Sequence, residues 1–344
     1  MEENKTTVAI RNMDDSDEED AVMNVVVKRL YQLPTLSISL IELNCGYNNL
    51  SRLPELPETL RILRCHHNRL TQLPKLPALT TLSIRANYFE TIRPLPKTLV
   101  KLCCSFNRLK KLPRLYKNLK ELICSNNHLT TLKLPSQLED LDCSENELQS
   151  LQIPSELKQL DCSKNRFEQL VLPDTLEQLR CSSNRLSKLT IPRFLKEINC
   201  SYNNLSSIHL IDTLTRVVLS HNPFVSAPVI PRGIKHLDLR FTQIDKCFDF
   251  ILQPEIYLYG TPLYTKMKSV LQMETHIVEP NLIKLSFDMI RAIEERFNQT
   301  YYLIKTKSRM LDWMWRARET LAMKKYHPDE LLKRLDDLDA LEQW

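Results

Sequence analysis

The stretch Leu141-Asp142-Cys143-Ser144-Glu145-Asn146-Glu147-Leu148-Gln149-Ser150-Leu151, continued by Ile153-Pro154 and Leu157, decides how this chain folds, because it recurs. In register with it, residues 40–244 divide into eleven units of 19–20 residues. One column holds Asn48, Asn68, Asn87, Asn107, Asn127, Asn146, Asn165, Asn184, Asn203 and Asn222, with Thr242 in the last unit. A second holds Cys45, Cys65, Cys104, Cys124, Cys143, Cys162, Cys181 and Cys200, while Ile84, Leu219 and Leu239 fill the units without cysteine. Such a period means stacked repeats. Zinc sites need close pairs such as C-x-x-C, and none occurs, so the pattern calls for no metal and no cofactor.

Side chains alternate along an extended Leu-x-Cys-x segment, so Leu and Cys point inward and the x positions outward. Each unit then contributes one short parallel strand, and eleven make a strip roughly 50 Å long at about 4.8 Å per strand. No single unit buries its own apolar side; stability comes from its neighbours. Where the chain leaves the strand, backbone groups lose their ladder partners. An asparagine amide at each step supplies donors and an acceptor, which predicts a buried asparagine ladder with a structural role. The cysteines read as small buried hydrophobes held reduced, which points to the cytoplasm. The other half of the unit, Leu53-Pro54-Glu55-Leu56-Pro57 for example, carries two prolines in five residues and predicts an extended, non-helical outer face.

The template L-x-x-L-x-C-x-x-N-x-L-x-x-L-P-x-L-P resembles the leucine-rich repeat in a short form. It is similar to the repeats of the bacterial secreted-effector class that carry L-P-x-L-P. It also resembles repeat proteins of large nucleocytoplasmic DNA viruses, where a C-S-x-N-x-L step is common. The resemblance implies a right-handed solenoid with its parallel strands on a concave face and a polyproline-like convex face. It further implies a binding scaffold, and it names no ligand.

Composition narrows the function. Among 344 residues there are only three glycines, Gly46, Gly233 and Gly260, so the glycine-rich loops that cradle phosphates are excluded. The net charge of +5 is too mild to imply nucleic acid. No apolar run approaches the ~20 residues of a membrane span, and the acidic start is unlike a leader. Residues 1–25, with Asp14-Asp15-Ser16-Asp17-Glu18-Glu19-Asp20, read as a disordered acidic tail in which Ser16 suits an acidophilic kinase. Residues 26–39 read as a cap on the first repeat, 245–279 as an irregular linker, and 280–344 as an α-helical C-terminal cap. Within the last, Trp313 and Trp315 are candidate interface anchors. The Tyr326-His327-Pro328 stretch resembles the C-terminal tails of large-DNA-virus proteins.

The outward strand positions are the expected binding face. Arg64, His66 and Arg85 lie near one end, Asp140, Asp142, Glu145 and Asp161 in the middle, and Arg180 beyond, a bipolar strip that suits a protein partner for a monomeric scaffold. Serines at 105, 125, 144, 163, 182, 201 and 220 are expected to supply donors and acceptors along it. A basic run, Arg108, Lys110, Lys111, Arg114, Lys117 and Lys120, reads as an alternative surface for RNA or an acidic membrane. No aromatic platform accompanies it in sequence, which disfavours nucleic acid. One enzymatic alternative remains. Cys247-Phe248-Asp249 has the Cys-x-Asp form of effector ubiquitin ligases, yet fewer than 100 residues follow it and only Lys246 is near to activate the thiol. The sequence therefore reads as a non-enzymatic protein-binding scaffold.

Overall fold

A computed structural model describes residues 21–245 and 255–265. Its thirteen strands are three residues each: β1 (Val22–Asn24), β2 (Glu42–Asn44), β3 (Ile62–Arg64), β4 (Thr81–Ser83), β5 (Lys101–Cys103), β6 (Glu121–Ile123), β7 (Asp140–Asp142), β8 (Gln159–Asp161), β9 (Gln178–Arg180), β10 (Glu197–Asn199), β11 (Arg216–Val218), β12 (His236–Asp238) and β13 (Glu255–Tyr257). They form one parallel sheet in sequence order, with Leu43, Leu63, Leu82 and their equivalents in register from coil to coil. Between residues 40 and 245 no helix interrupts the coils, so the chain is a β-solenoid.

Two strands lie outside the eleven repeats read from sequence. β1 falls in residues placed at the end of the acidic tail, and β13 in residues placed in the irregular linker. Met23 and Val25 stand where Leu43 and Cys45 stand one coil later, and Ile256 and Leu258 stand where Leu237 and Leu239 do. The inward alternation persists there; the asparagine does not, being replaced by Lys28 and Thr261. Pairing extends as far as the alternation does. The acidic run, Ser16, Cys247, and the helical cap expected over 280–344 with Trp313 and Trp315 all lie outside the described residues.

The core is a set of columns. The strand leucines and all eight column cysteines are buried, and Phe89, Phe167 and Phe224 replace leucine in the column of Leu50 without exposure. Each fully buried leucine or phenylalanine contributes about 1.5–3 kcal/mol relative to exposure, so a coil is stable only when covered on both sides. Burial pushes the Cys45 thiol up to about 12 and raises Cys65, Cys124 and Cys143 well above the ordinary thiol value. The nine described cysteines are all free thiols.

The asparagine column joins consecutive coils. Asn127 Nδ2 donates to the carbonyls of Cys104 at 3.1 Å and Cys124 at 3.1 Å, and its Oδ1 accepts from the Leu109 N–H at 3.0 Å. The same bonds recur from Asn68 to Asn222, while Asn48 reaches back to Val25, Lys28 and Leu30 of the first coil. Nine of these asparagines are buried, and Asn184 is half-buried with the same partners. On the outer side the second proline closes a turn, as in Leu60 N–H to Pro57 O at 3.0 Å. There Thr59, Thr98, Thr175 and Thr213 donate their hydroxyls to Leu40, Leu79, Leu157 and Leu195 of the preceding coil. This threonine ladder was not read from sequence.

Candidate binding face

Outward side chains of successive strands sit side by side because the register is constant. At β6–β9 this places Glu121, Asp140, Asp142, Asp161, Gln159 and Arg180, with Ile123, around a shallow depression of about 240 Å³ whose floor is the strand backbone at Leu122, Leu141 and Leu160. Three sequence-predicted binding residues, Asp140, Asp142 and Asp161, thus meet, with Arg180 at the rim. The Asp140 carboxyl is raised above its ordinary value, first by burial and then by the carboxylates of Glu121 and Glu139, against Lys158 and Lys101. Crowded carboxylates in one depression present a negative field to a cationic group.

Asp142 and Asp161 also have local work. Asp142 Oδ1 accepts from Ser144 N–H at 3.0 Å and Ser144 Oγ at 2.6 Å, and Asp161 Oδ1 accepts from Ser163 N–H at 3.0 Å. Asn199 does the same for Ser201, and Asp238 for Arg240, whose guanidinium it also holds at 2.9 and 2.7 Å. A carboxylate keeps other lone pairs for a ligand while one accepts this bond.

The serine column departs from expectation. Ser105, Ser125, Ser163, Ser201 and Ser220 are buried rather than spread along the face, and Ser144 and Ser182 are half-buried. The physical reason is the next residue. Tyr47, His67, Ala86, Phe106, Asn126, Glu145, Lys164, Ser183, Tyr202, His221 and Phe241 all have φ between 52° and 55°, the left-handed conformation. That turn bends the chain off the strand just after this column, where the short serines are covered while the longer Arg85 in the same place stays exposed. Glu145 consequently stands in this edge column, paired with Lys164 at 2.7 Å, away from the acidic depression.

The left-handed column is what the sequence reading missed. Its rings stack between coils: Tyr47 on His67 at 4.3 Å, Tyr202 on His221 at 3.9 Å, and His221 on Phe241 at 4.4 Å. Its signal in the sequence is the residue one place before each asparagine, where Tyr, His and Phe recur without glycine. At the N-terminal end Arg64 pairs with Glu42, and the Arg85 guanidinium lies over Phe106 at 4.8 Å. His66 covers Gly46, where a Cβ would meet its ring, and its imidazole is held below the ordinary value by burial first, then by His67, Arg85 and Arg64. Among the described residues, no group of three or more His, Cys, Asp or Glu side chains is placed to hold a metal ion, and no helix is long and apolar enough to cross a membrane.

No protein-family model matches the chain, and no curated protein sequence does. Solved structures do. YopM from Yersinia enterocolitica WA-314 is similar at a TM-score of 0.66 and 30% identity over 70% of this chain, which spans 56% of the length of that protein. The leucine-rich effector protein YopM from Yersinia pestis matches at a TM-score of 0.57 and 24% identity, over 72% of this chain and 85% of that one. InlJ from Listeria monocytogenes, whose functional domain includes a cysteine ladder, matches at 0.60 and 23%, over 70% and 63%. Columns of leucine and asparagine, a parallel strip and these neighbours together establish that the described chain has the leucine-rich-repeat solenoid fold.

Proposed function

We propose that this protein is a non-enzymatic interaction scaffold, acting as a monomer, that holds a protein partner on its strand face. The acidic depression of Glu121, Asp140, Asp142 and Asp161 is the anchor, and the partner presents lysine or arginine there. One observation carries the reading: four carboxylates, of which Glu121 also pairs with Lys101, converge on one depression at the middle of a continuous outward strip. Leucine-rich-repeat neighbours support a scaffold role. The working compartment is a reducing host cytoplasm, supported by free core thiols and by the effector-like and virus-like repeat signatures.

The test uses asparagine. Asp142→Asn and Asp161→Asn keep the acceptor for the following N–H, as Asn199 does natively, and remove the charge. With Asp140→Asn added, the triple variant should unfold like the parent in urea. It should lose at least tenfold in affinity for a partner recovered by affinity purification, whereas Cys247→Ala should bind as the parent does. A partner held equally well by the triple variant would refute the acidic anchor.

A further inference from the structure

We propose that the edge of the solenoid formed by the coils of β2–β6 is a second binding site, for single-stranded nucleic acid, centred on Arg85, Phe106, Tyr88 and Arg108. In these coils the positions from mid-strand to the residue after the ladder asparagine carry Arg64, Arg69, Arg85 and Arg108 with His66, His67 and His128. They carry no carboxylate; the first in those columns are Asp142, Glu145 and Glu147. Part of that charge is also uncompensated: Arg64 pairs with Glu42, Lys101 with Glu121 and His128 with Glu147, but the central cations have no such partner. Among the described residues Arg85, Arg108, Lys110 and Lys111 make no ion pair, whereas Lys120, Lys158, Lys164, Arg166 and Lys196 farther along each hold a carboxylate.

Aromatic faces interleave with this charge. The Arg85 guanidinium lies 4.8 Å from the Phe106 ring centre and that of Arg108 lies 5.1 Å from Tyr88, and both rings are 46% exposed. The platform whose apparent lack disfavoured RNA is supplied by the fold, because Tyr88 comes from the coil before Arg108. Ala86 adds a gap. Rings in the left-handed column stack one per coil, so an alanine between His67 and Phe106 opens two coil spacings, roughly 9–10 Å. That spacing holds a single layer between the two rings, and the Arg85 guanidinium, 4.8 Å from the Phe106 ring centre, takes it. Beyond it, Arg108, Lys110, Lys111 and His128, with Glu90 and Thr91, line a depression of about 420 Å³ suited to phosphates. An acidic polypeptide satisfies the charge but brings no flat group for the exposed rings of Tyr88 and Phe106, whereas a nucleic-acid strand satisfies both.

The experiment is fluorescence anisotropy of the full chain with a fluorescein-labelled twelve-nucleotide oligouridylate. Binding should weaken steeply between 50 and 300 mM salt. Arg85→Glu with Arg108→Glu should cost at least tenfold. Phe106→Asn with Tyr88→Ser leaves the charge intact, and Asn126 shows that the left-handed backbone accepts asparagine; this pair should cost about five- to tenfold. The triple aspartate variant should bind the oligonucleotide like the parent, so this site and the acidic anchor fail separately. No binding at 50 mM salt, an unchanged affinity in the ring variant, or polyglutamate competing as well as unlabelled oligouridylate would each overturn the proposal.

Discussion

A single asparagine amide in this solenoid satisfies groups on two coils at once. Asn127 holds the Leu109 N–H and the carbonyls of Cys104 and Cys124 in a dry interior. Asn127→Ala leaves them short of partners and should lower the unfolding free energy by about 3 kcal/mol in urea titration. Asn127→Thr should lose less, since Thr242 keeps a hydroxyl bond to Leu239 at 2.8 Å in the same place. The residue before the ladder carries the opposite burden. Eleven non-glycine residues, from Tyr47 to Phe241, occupy the left-handed region, which costs an L-residue roughly 1–2 kcal/mol. Ala86 has a side chain too small to recover that by stacking. Ala86→Gly should therefore stabilise the fold by about 0.5–1 kcal/mol, seen as a raised urea midpoint; a lowered midpoint would show that the greater freedom of glycine in the unfolded chain outweighs the relieved strain.

Between neighbouring elements, charge alternates where the chain enters the strand. Lys120, Glu139 and Lys158 belong to three successive coils, and Glu139 accepts from both lysines at 2.8 Å, which holds its carboxyl at about 2. A carboxyl held low in the folded state stabilises it above the unfolded-state value, and that contribution fades as pH falls towards 2. A Glu139→Gln protein should thus be less stable than the parent at pH 6 and equal to it near pH 2. The groups are exposed, so the difference should also shrink in 1 M salt. Urea titrations at the two pH values and two salt concentrations check both statements. The acidic depression is an element-level property too: Asp142 and Asp161 are neighbours only because β7 pairs with β8 in register.

Across the whole molecule, each coil is stabilised by the two beside it, as in any linear repeat array. The first described coil has Lys28 in the asparagine place, and its inward Met23 and Val25 are only half-buried where Leu43 and Cys45 are fully buried. Amide hydrogen exchange should accordingly be slowest in β6–β8 and fastest in β1, with protection rising over the first few coils. Uniform protection along the strip would contradict nearest-neighbour coupling. The molecule also separates its surfaces, with the carboxylates gathered on the strand face at β6–β9 and the unpaired arginines on the edge of β2–β6.

The period, the inward leucines and cysteines and the asparagine column were readable from residues alone, because each obeys a spacing that the backbone imposes on every coil. The extra strands β1 and β13 escaped because their coils keep the inward alternation without the asparagine that marks the register. Burial of the serines could not be read, since it follows from a left-handed turn that no glycine announces. The pairing of Tyr88 with Arg108 and of Phe106 with Arg85 was equally hidden, because those partners lie a full coil apart in sequence and meet only when the coils stack. Local spacing sets which side chain faces inward; contact between coils sets which outward side chains share a surface.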